Sequence, residues 1–225
     1  MTSRDTILAA VRANLPSPAR ALPEIPLFER TAGSLLDEFQ EALVRMGGKF
    51  ADERSGKNLD GFVHSLFPQA RMICSATAEI EGTRALTRSA NPTDLADVDV
   101  GIVRAAFGVA ETGSIWLSEA ELQVNALAYL AQHLVALLDP SDIVGNLHHA
   151  YRDPRFKTAR YAVLVTGPSA TADIEGVLIH GAQGVRSLTV VPVRRRGSKP
   201  RITAHPRTHR CGDANALTER RGDSE

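Results

Sequence analysis

Apolar positions along this chain recur with two different periods, and each change of period marks a new element. Ile7, Leu8 and Val11 fall at helical spacing within residues 2–14, a short amphipathic helix stopped by Pro16. Pro16-Ser17-Pro18, Pro23 and Pro26 then describe an extended arm. Leu35, Phe39, Ala42, Leu43 and Met46 mark one face of a second helix, which Gly47-Gly48 ends as a left-handed cap. Leu59, Phe62, Val63 and Leu66 predict a third helix over residues 58–67, and Arg71 to Cys74 a short strand.

Farther on the pattern turns to strands. Val98 to Val103 is strand-like, residues 105–109 suit helix or strand, and Ser114 to Leu117 is a clear strand. Leu134 to Leu138 is a continuous apolar run of the kind buried in parallel sheets, Tyr161 to Val165 reads as another buried strand, and Ser187 to Val193 as a further strand. Between them, Asp139-Pro140 offers an N-cap and first position for a helix over 141–151, and a short helix is expected over 172–180. The alternation predicts an α/β fold, a mostly parallel sheet with helices on both faces.

Composition narrows this to one soluble domain. The chain has 225 residues, enough for a single well-buried core, with 43% hydrophobic and 23% charged residues. The organisation expected is an N-terminal helix and proline-rich arm (1–30), an α/β domain (31–193) and a basic tail (194–225). No run is long and apolar enough to span a bilayer, and the first residues lack the apolar segment of a signal peptide, so a cytoplasmic protein is expected. From Arg194 onward there are nine Lys/Arg against four Asp/Glu, whereas the rest has 17 against 22. The tail has no aromatic residue to stack on bases, which argues against a nucleic-acid partner and for a solvated, disordered extension.

Only two cysteines occur, Cys74 and Cys211. A structural zinc or an iron–sulfur cluster generally takes about four ligands, so no cofactor of that kind is expected on this chain. The histidines do not assemble a metal site either. His148 and His149 are neighbours on a helix and point apart, His133 precedes a strand, and His180 ends the helix expected over 172–180.

Two loops carry candidate chemistry. Ala110-Glu111-Thr112-Gly113-Ser114 is a glycine turn entering a strand, in which Glu111 suits acid–base work and Thr112 and Gly113 suit ligand contact. An ordinary turn with a solvated Glu111 fits the same residues. The second loop runs from Thr166-Gly167-Pro168-Ser169 through Ala170-Thr171-Ala172-Asp173 to Ile174-Glu175. It reads as a strand, a glycine loop and a helix N-terminus at the carboxyl end of a parallel sheet, where ligands bind in open α/β folds. Gly167, Ser169, Thr171 and Asp173 are its candidates. Neither named glycine-rich phosphate motif is present. Equally, Ser169 or Thr171 caps the helix and Asp173 and Glu175 offset its dipole.

Asp97-Val98-Asp99-Val100-Gly101-Ile102, the turn Ala110 to Ser114 and the loop Thr166 to Glu175 stand in this order. In these motifs the chain resembles the LUD (lactate utilization) domain, over roughly residues 31 to 193, and within it the lactate utilization protein C group. The resemblance implies the fold of the ribose-phosphate isomerase and CoA-transferase superfamily. It also implies a part in oxidising L-lactate to pyruvate beside iron–sulfur partner proteins that hold the redox centres. Gly181-Ala182-Gln183-Gly184-Val185 stands where the family usually reads Gly-Val-His-Gly-Pro, so Gly181 and Gly184 join the candidate set while the histidine is lost. An Arg and a Leu-Pro pair common in the family are replaced within Val124 to Gln132.

Three functions follow. The first is a ligand-binding subunit taking a small carboxylate or related molecule. The second is an acyl or CoA transferase with Glu111 as nucleophile, and the third a non-catalytic scaffold or regulator.

Overall fold

A computed structural model describes residues 2–15, 23, 26, 28, 33–52, 58–88, 91–172, 175–180 and 183–195. Three helices precede the main strands. Helix α1 (Ser3–Ala13) starts at a capping box in which Thr2 and Asp5 satisfy each other's backbone N–H groups, and it buries no residue. Helix α2 (Leu35–Arg45) is capped by Ser34 and buries Phe39, Ala42 and Leu43, the face its spacing predicts. Helix α3 (Leu59–Leu66) is capped by Asn58 and buries Leu59 and Val63. No helix among the described residues is long and apolar enough to cross a membrane.

The centre is a five-stranded, wholly parallel sheet built from β1 (Lys49–Phe50), β2 (Ile73–Ser75), β3 (Val100–Arg104), β6 (His133–Leu138) and β11 (Ser187–Pro192). Its order is β1-β11-β6-β3-β2, with His133 level with Ser187 on one side and with Val100 on the other. Alternation sorts the side chains to two faces. Val135, Leu137, Val100, Ile102 and Val191 pack with Leu59 and Val63 of α3. Leu134, Ala136, Leu138, Leu188 and Val190 pack with Phe39 and Leu43 of α2. Both faces are therefore covered by helix, as the continuous apolar runs require. Each such Leu, Ile or Val side chain, fully buried, contributes roughly 1.5–3 kcal/mol.

A second sheet lies on the α2 side, and the apolar pattern does not announce it. Its order is β7-β4-β5-β8: β4 (Phe107–Val109), β5 (Ser114–Ser118), β7 (Ile143–Val144) and β8 (Ala162–Val165). β5 runs antiparallel to both β4 and β8. Ile115 and Leu117 point into the core shared with α2 and the short helices α4 (Glu119–Leu122) and α5 (Leu127–Leu130). Trp116 faces the other way, stacked on Phe107 at 5.4 Å, beneath α6 (Leu147–Tyr151) and α7 (Arg155–Thr158). The Arg155 guanidinium lies over both rings, 5.0 Å from Phe107 and 5.7 Å from Trp116.

Three expectations are corrected. The helix over 141–151 is broken in two: Asp139 caps one 3₁₀ turn, Pro140–Asp142, and the helix resumes only after Asn146. The β-branched pair Ile143-Val144 leaves to join Gly108 and Val109. The helix over 172–180 does not form. β9 (Ala170–Thr171) and β10 (Ile179–His180) instead pair antiparallel, with Glu175 and Gly176 at positive φ in the turn between. His180 thus ends a strand. Finally, Tyr161 to Val165 is not a buried strand of the parallel sheet: β8 stands at the edge of the second sheet, antiparallel to β5, with Ala162 exposed and Val163 to Val165 half-buried. The Arg195 backbone N–H donates to Asp139 Oδ2 at 2.7 Å, and its guanidinium to Asp142 and the Ala105 carbonyl, both at 2.9 Å.

Cys74 is a buried free thiol, as read, while Cys211 and the tail from residue 196 lie outside the described residues.

Candidate functional site

The first signature turn follows β4. Gly113 closes it by donating to the Val109 carbonyl at 2.9 Å, with φ at +66°. A Cβ there would lie 2.2 Å from the Leu43 nitrogen, inside the backbone of α2. Gly167 repeats the arrangement in the second loop. Its φ is +67°, and a Cβ would lie 2.2 Å from the Met46 carbonyl oxygen. Leu43 and Met46 are three residues apart at the end of α2, about 4.5 Å along the helix axis. Both signature glycines therefore exist for close approach to a single helical turn.

Hydroxyls join the same two loops. Thr112 Oγ1 lies 2.7 Å from Ser114 Oγ, which in turn lies 2.5 Å from Thr166 Oγ1. Ser114 is only 2% exposed, so this chain of hydrogen bonds runs largely away from solvent. Nothing in the sequence pattern marks Ser114 or Thr166 as a candidate, although each sits beside a signature glycine. The β5–β8 ladder, which places Ile115 level with Val165, brings them together.

Glu111 is exposed at the rim of this unit. Its backbone N–H donates to the Gly145 carbonyl at 3.0 Å, and its Oε2 accepts from the Leu147 N–H at 3.1 Å. One oxygen is thus committed to the first turn of α6. Among the described residues the other has no partner.

Ser169 and Thr171 do not cap a helix. The Ser169 N–H donates to the Val185 carbonyl at 3.1 Å, and its side chain faces Gly184, whose φ is +72°. Thr171 is paired with Ile179 in the hairpin. This loop therefore stands at the amino end of β11, and not at the carboxyl end of the parallel sheet. His180 lies against Gly47, with Cε1 3.2 Å from where a Cβ would stand, so the hairpin folds back onto the end of α2. Asp173 and Gly181 lie outside the described residues.

The carboxyl end of the central sheet is closed by ion pairs. Arg104 Nε reaches Glu79 Oε1 at 2.5 Å and Nη1 the Val193 carbonyl at 3.0 Å, beside the Arg195–Asp142 pair. Burial pushes the Glu79 carboxyl up, but the Thr77 hydroxyl and Arg104 outweigh it and leave the group below its ordinary value. Among the described residues no three His, Cys, Asp or Glu side chains gather as a metal would need.

These features meet a family at large. The model of the LUD domain matches residues 36–193, most of the chain, so this protein belongs to the LUD domain family, which is associated with lactate utilization in general. An uncharacterized protein of Neisseria meningitidis serogroup B is 28% identical over 100 residues. That match spans 43% of this chain and 43% of the relative's length. A solved structure of a DUF162 family protein from Deinococcus radiodurans superposes with a TM-score of 0.52 at 16% identity. It covers 71% of this chain and 96% of the other, and the likeness is one of fold.

Proposed function

We propose that this chain is the ligand-binding subunit of an L-lactate-oxidising system whose electrons pass through iron–sulfur partner proteins. The observation that carries the reading is the hydroxyl chain Thr112–Ser114–Thr166, which makes the two signature loops one unit with Glu111 at its rim. Oxidising lactate to pyruvate removes two electrons and two protons. The two cysteines of the sequence are too few for a cluster, so the electrons are assigned to partners and the chain's contribution to binding and proton handling.

Glu111 is the acid–base candidate. The Leu147 N–H fixes its orientation and leaves Oε1 for a small carboxylic acid or its hydroxyl. Thr112, beside it, is the hydroxyl nearest the rim. The same amide bond occupies Oε2 and leaves only Oε1 for the nucleophilic role that an acyl transferase would need.

Growth on L-lactate as sole carbon source tests this, in a strain lacking the native copy and carrying wild type, Glu111→Gln or Thr112→Val. Loss of growth with Glu111→Gln, at unchanged protein level and melting temperature, supports the proposal. Full growth of both variants removes Glu111 and Thr112 from it. A hydroxylamine-sensitive acyl adduct after incubation with an acyl-CoA replaces it with the transferase reading.

A further inference from the structure

A pocket of about 360 Å³ opens at the amino edge of the central sheet, away from the ion pairs that close its other end. One wall is the end of α3 and the turn after it, Leu66 to Ala70. The other is formed by residues that start or immediately precede three neighbouring parallel strands: Asp99 before β3, Gln132 and His133 at β6, and Arg186 before β11. The volume lies at the lower end of the range for small-molecule sites, about 300–1,000 Å³, and holds roughly a dozen water-sized groups of about 30 Å³.

The main-chain groups of this wall are satisfied among themselves. The Gln132 N–H donates to the Val98 carbonyl, the His133 N–H to Asp99 and the Arg186 N–H to Gln132, at 2.8–3.0 Å. Asp99, its one acid, is engaged: Oδ2 accepts from the Arg71 N–H at 2.7 Å and the Met72 N–H at 2.9 Å. The side chains are another matter. The His133 ring is stacked on Phe67, centroids 4.5 Å apart, with Nδ1 held 2.8 Å from Ser187 Oγ. That leaves Nε2 without a partner among the described residues. The Arg186 guanidinium likewise has none.

We propose that this pocket binds a small organic carboxylate with a flat apolar body. Arg186 takes the carboxylate as a two-pronged donor, and the Phe67–His133 stack receives the body. Pro68 and Leu66 extend the apolar wall. A bare inorganic anion would leave that wall in water. A cation would meet Arg186, with Lys49 also near enough to bear on His133. Burial first, and then the charge of Arg186, hold the imidazole below its ordinary value. A neutral ring has an Nε2 able to accept from a hydroxylated ligand or donate to an anionic one. The second signature loop enters here as support: the Ser169–Val185 bond fixes the backbone immediately before Arg186. The inference stands apart from the lactate reading, since the pocket shares no residue with Glu111 and the hydroxyl chain Thr112–Ser114–Thr166.

The test uses the full chain, with benzoate as probe and benzamide as its uncharged counterpart, read by saturation-transfer NMR and backbone amide shifts. Benzoate is expected to saturate, with shifts at His133 and Arg186. Arg186→Gln should weaken it by about tenfold, the loss of one charge-assisted contact, while the melting temperature holds. Phe67→Leu should weaken benzoate and benzamide alike, and inorganic phosphate should compete poorly. Three results would overturn the proposal: no saturable binding by about 10 mM benzoate, equal affinity in Arg186→Gln, or benzamide binding as well as benzoate.

Discussion

The hydroxyl of Ser114 lies 2.5 Å from that of Thr166, across the β5–β8 ladder and 52 residues away in sequence. Two loops that read separately in the chain are therefore one structural unit. Ser114→Ala should cost about 1–2 kcal/mol, because it strands two hydroxyls, Thr112 and Thr166, in a part-buried setting. Adding Thr166→Val should cost less than the sum of the single changes. Urea unfolding of the four proteins in the cycle checks this, and strict additivity would show that the contact is not energetically coupled.

Gly113 and Gly167 should be the least replaceable glycines among those described. An alanine at either takes an unfavourable positive φ and drives a methyl into α2 backbone 2.2 Å away. Strain of about 1–2 kcal/mol and overpacking of about 1–3 kcal/mol add up to a severe loss. Gly176 provides the control. Its φ is also positive, at +70°, but nothing lies within 4 Å of its missing Cβ. Gly176→Ala should therefore lose only about 1 kcal/mol, by the strain alone. Equal losses at all three sites would contradict the packing explanation.

The amino edge of the central sheet should have a characteristic response to acid. The folded His133 binds its proton less readily than an unfolded histidine, chiefly because burial disfavours the charge. Its contribution to stability is therefore full above the unfolded value, about 6.5, and is lost as pH falls through the folded value. Asp99 is held below the ordinary range by hydrogen bonds from the Met72 and Arg71 N–H groups. Its contribution is present above about 3.9 and disappears only in stronger acid. Stability against pH should show both regions, with His133→Gln flattening the first and Asp99→Asn the second. A His133→Gln profile parallel to wild type would remove this assignment.

Arg195→Ala should destabilise the fold by about 1–2 kcal/mol even though the composition places Arg195 in the tail. The change removes the donors to Asp142 and to the Ala105 carbonyl, while the backbone bond to Asp139 survives. Thermal unfolding of the full chain measures it. No change would show that the solvated pair contributes nothing.

The elements that the apolar pattern reveals best are those buried on both sides. Leu134 to Leu138 is apolar throughout, Leu188 to Pro192 is apolar but for Thr189, and α2 shows its buried face directly. The second sheet is less legible because its strands are short and paired across distant segments. Ile143-Val144 is two residues long, and its partner lies more than thirty residues earlier. The segment 172–180 offers only Ala172, Glu175 and Leu178 as good helix formers, and pairing of Ala170 with His180 and a turn at Glu175-Gly176 take its place. At the candidate site, the unusual backbone of the signature glycines is legible, whereas the α2 turn that demands it is not. His133 and Arg186 stand out in neither period nor motif. Only the register of neighbouring strands sets them at one edge.

The close approach of Gly113 and Gly167 to α2 also bears on the order in which the protein is made. Met46 leaves the ribosome more than a hundred residues before Gly167, its contact in the finished fold. At about 5–20 residues per second, that delay is on the order of ten seconds. The buried face of α2 must wait through it with its final turn unsealed. Synthesis rate and nascent-chain chaperones thus act on this helix more than on β6 and β11, whose pairing comes last and closes the sheet.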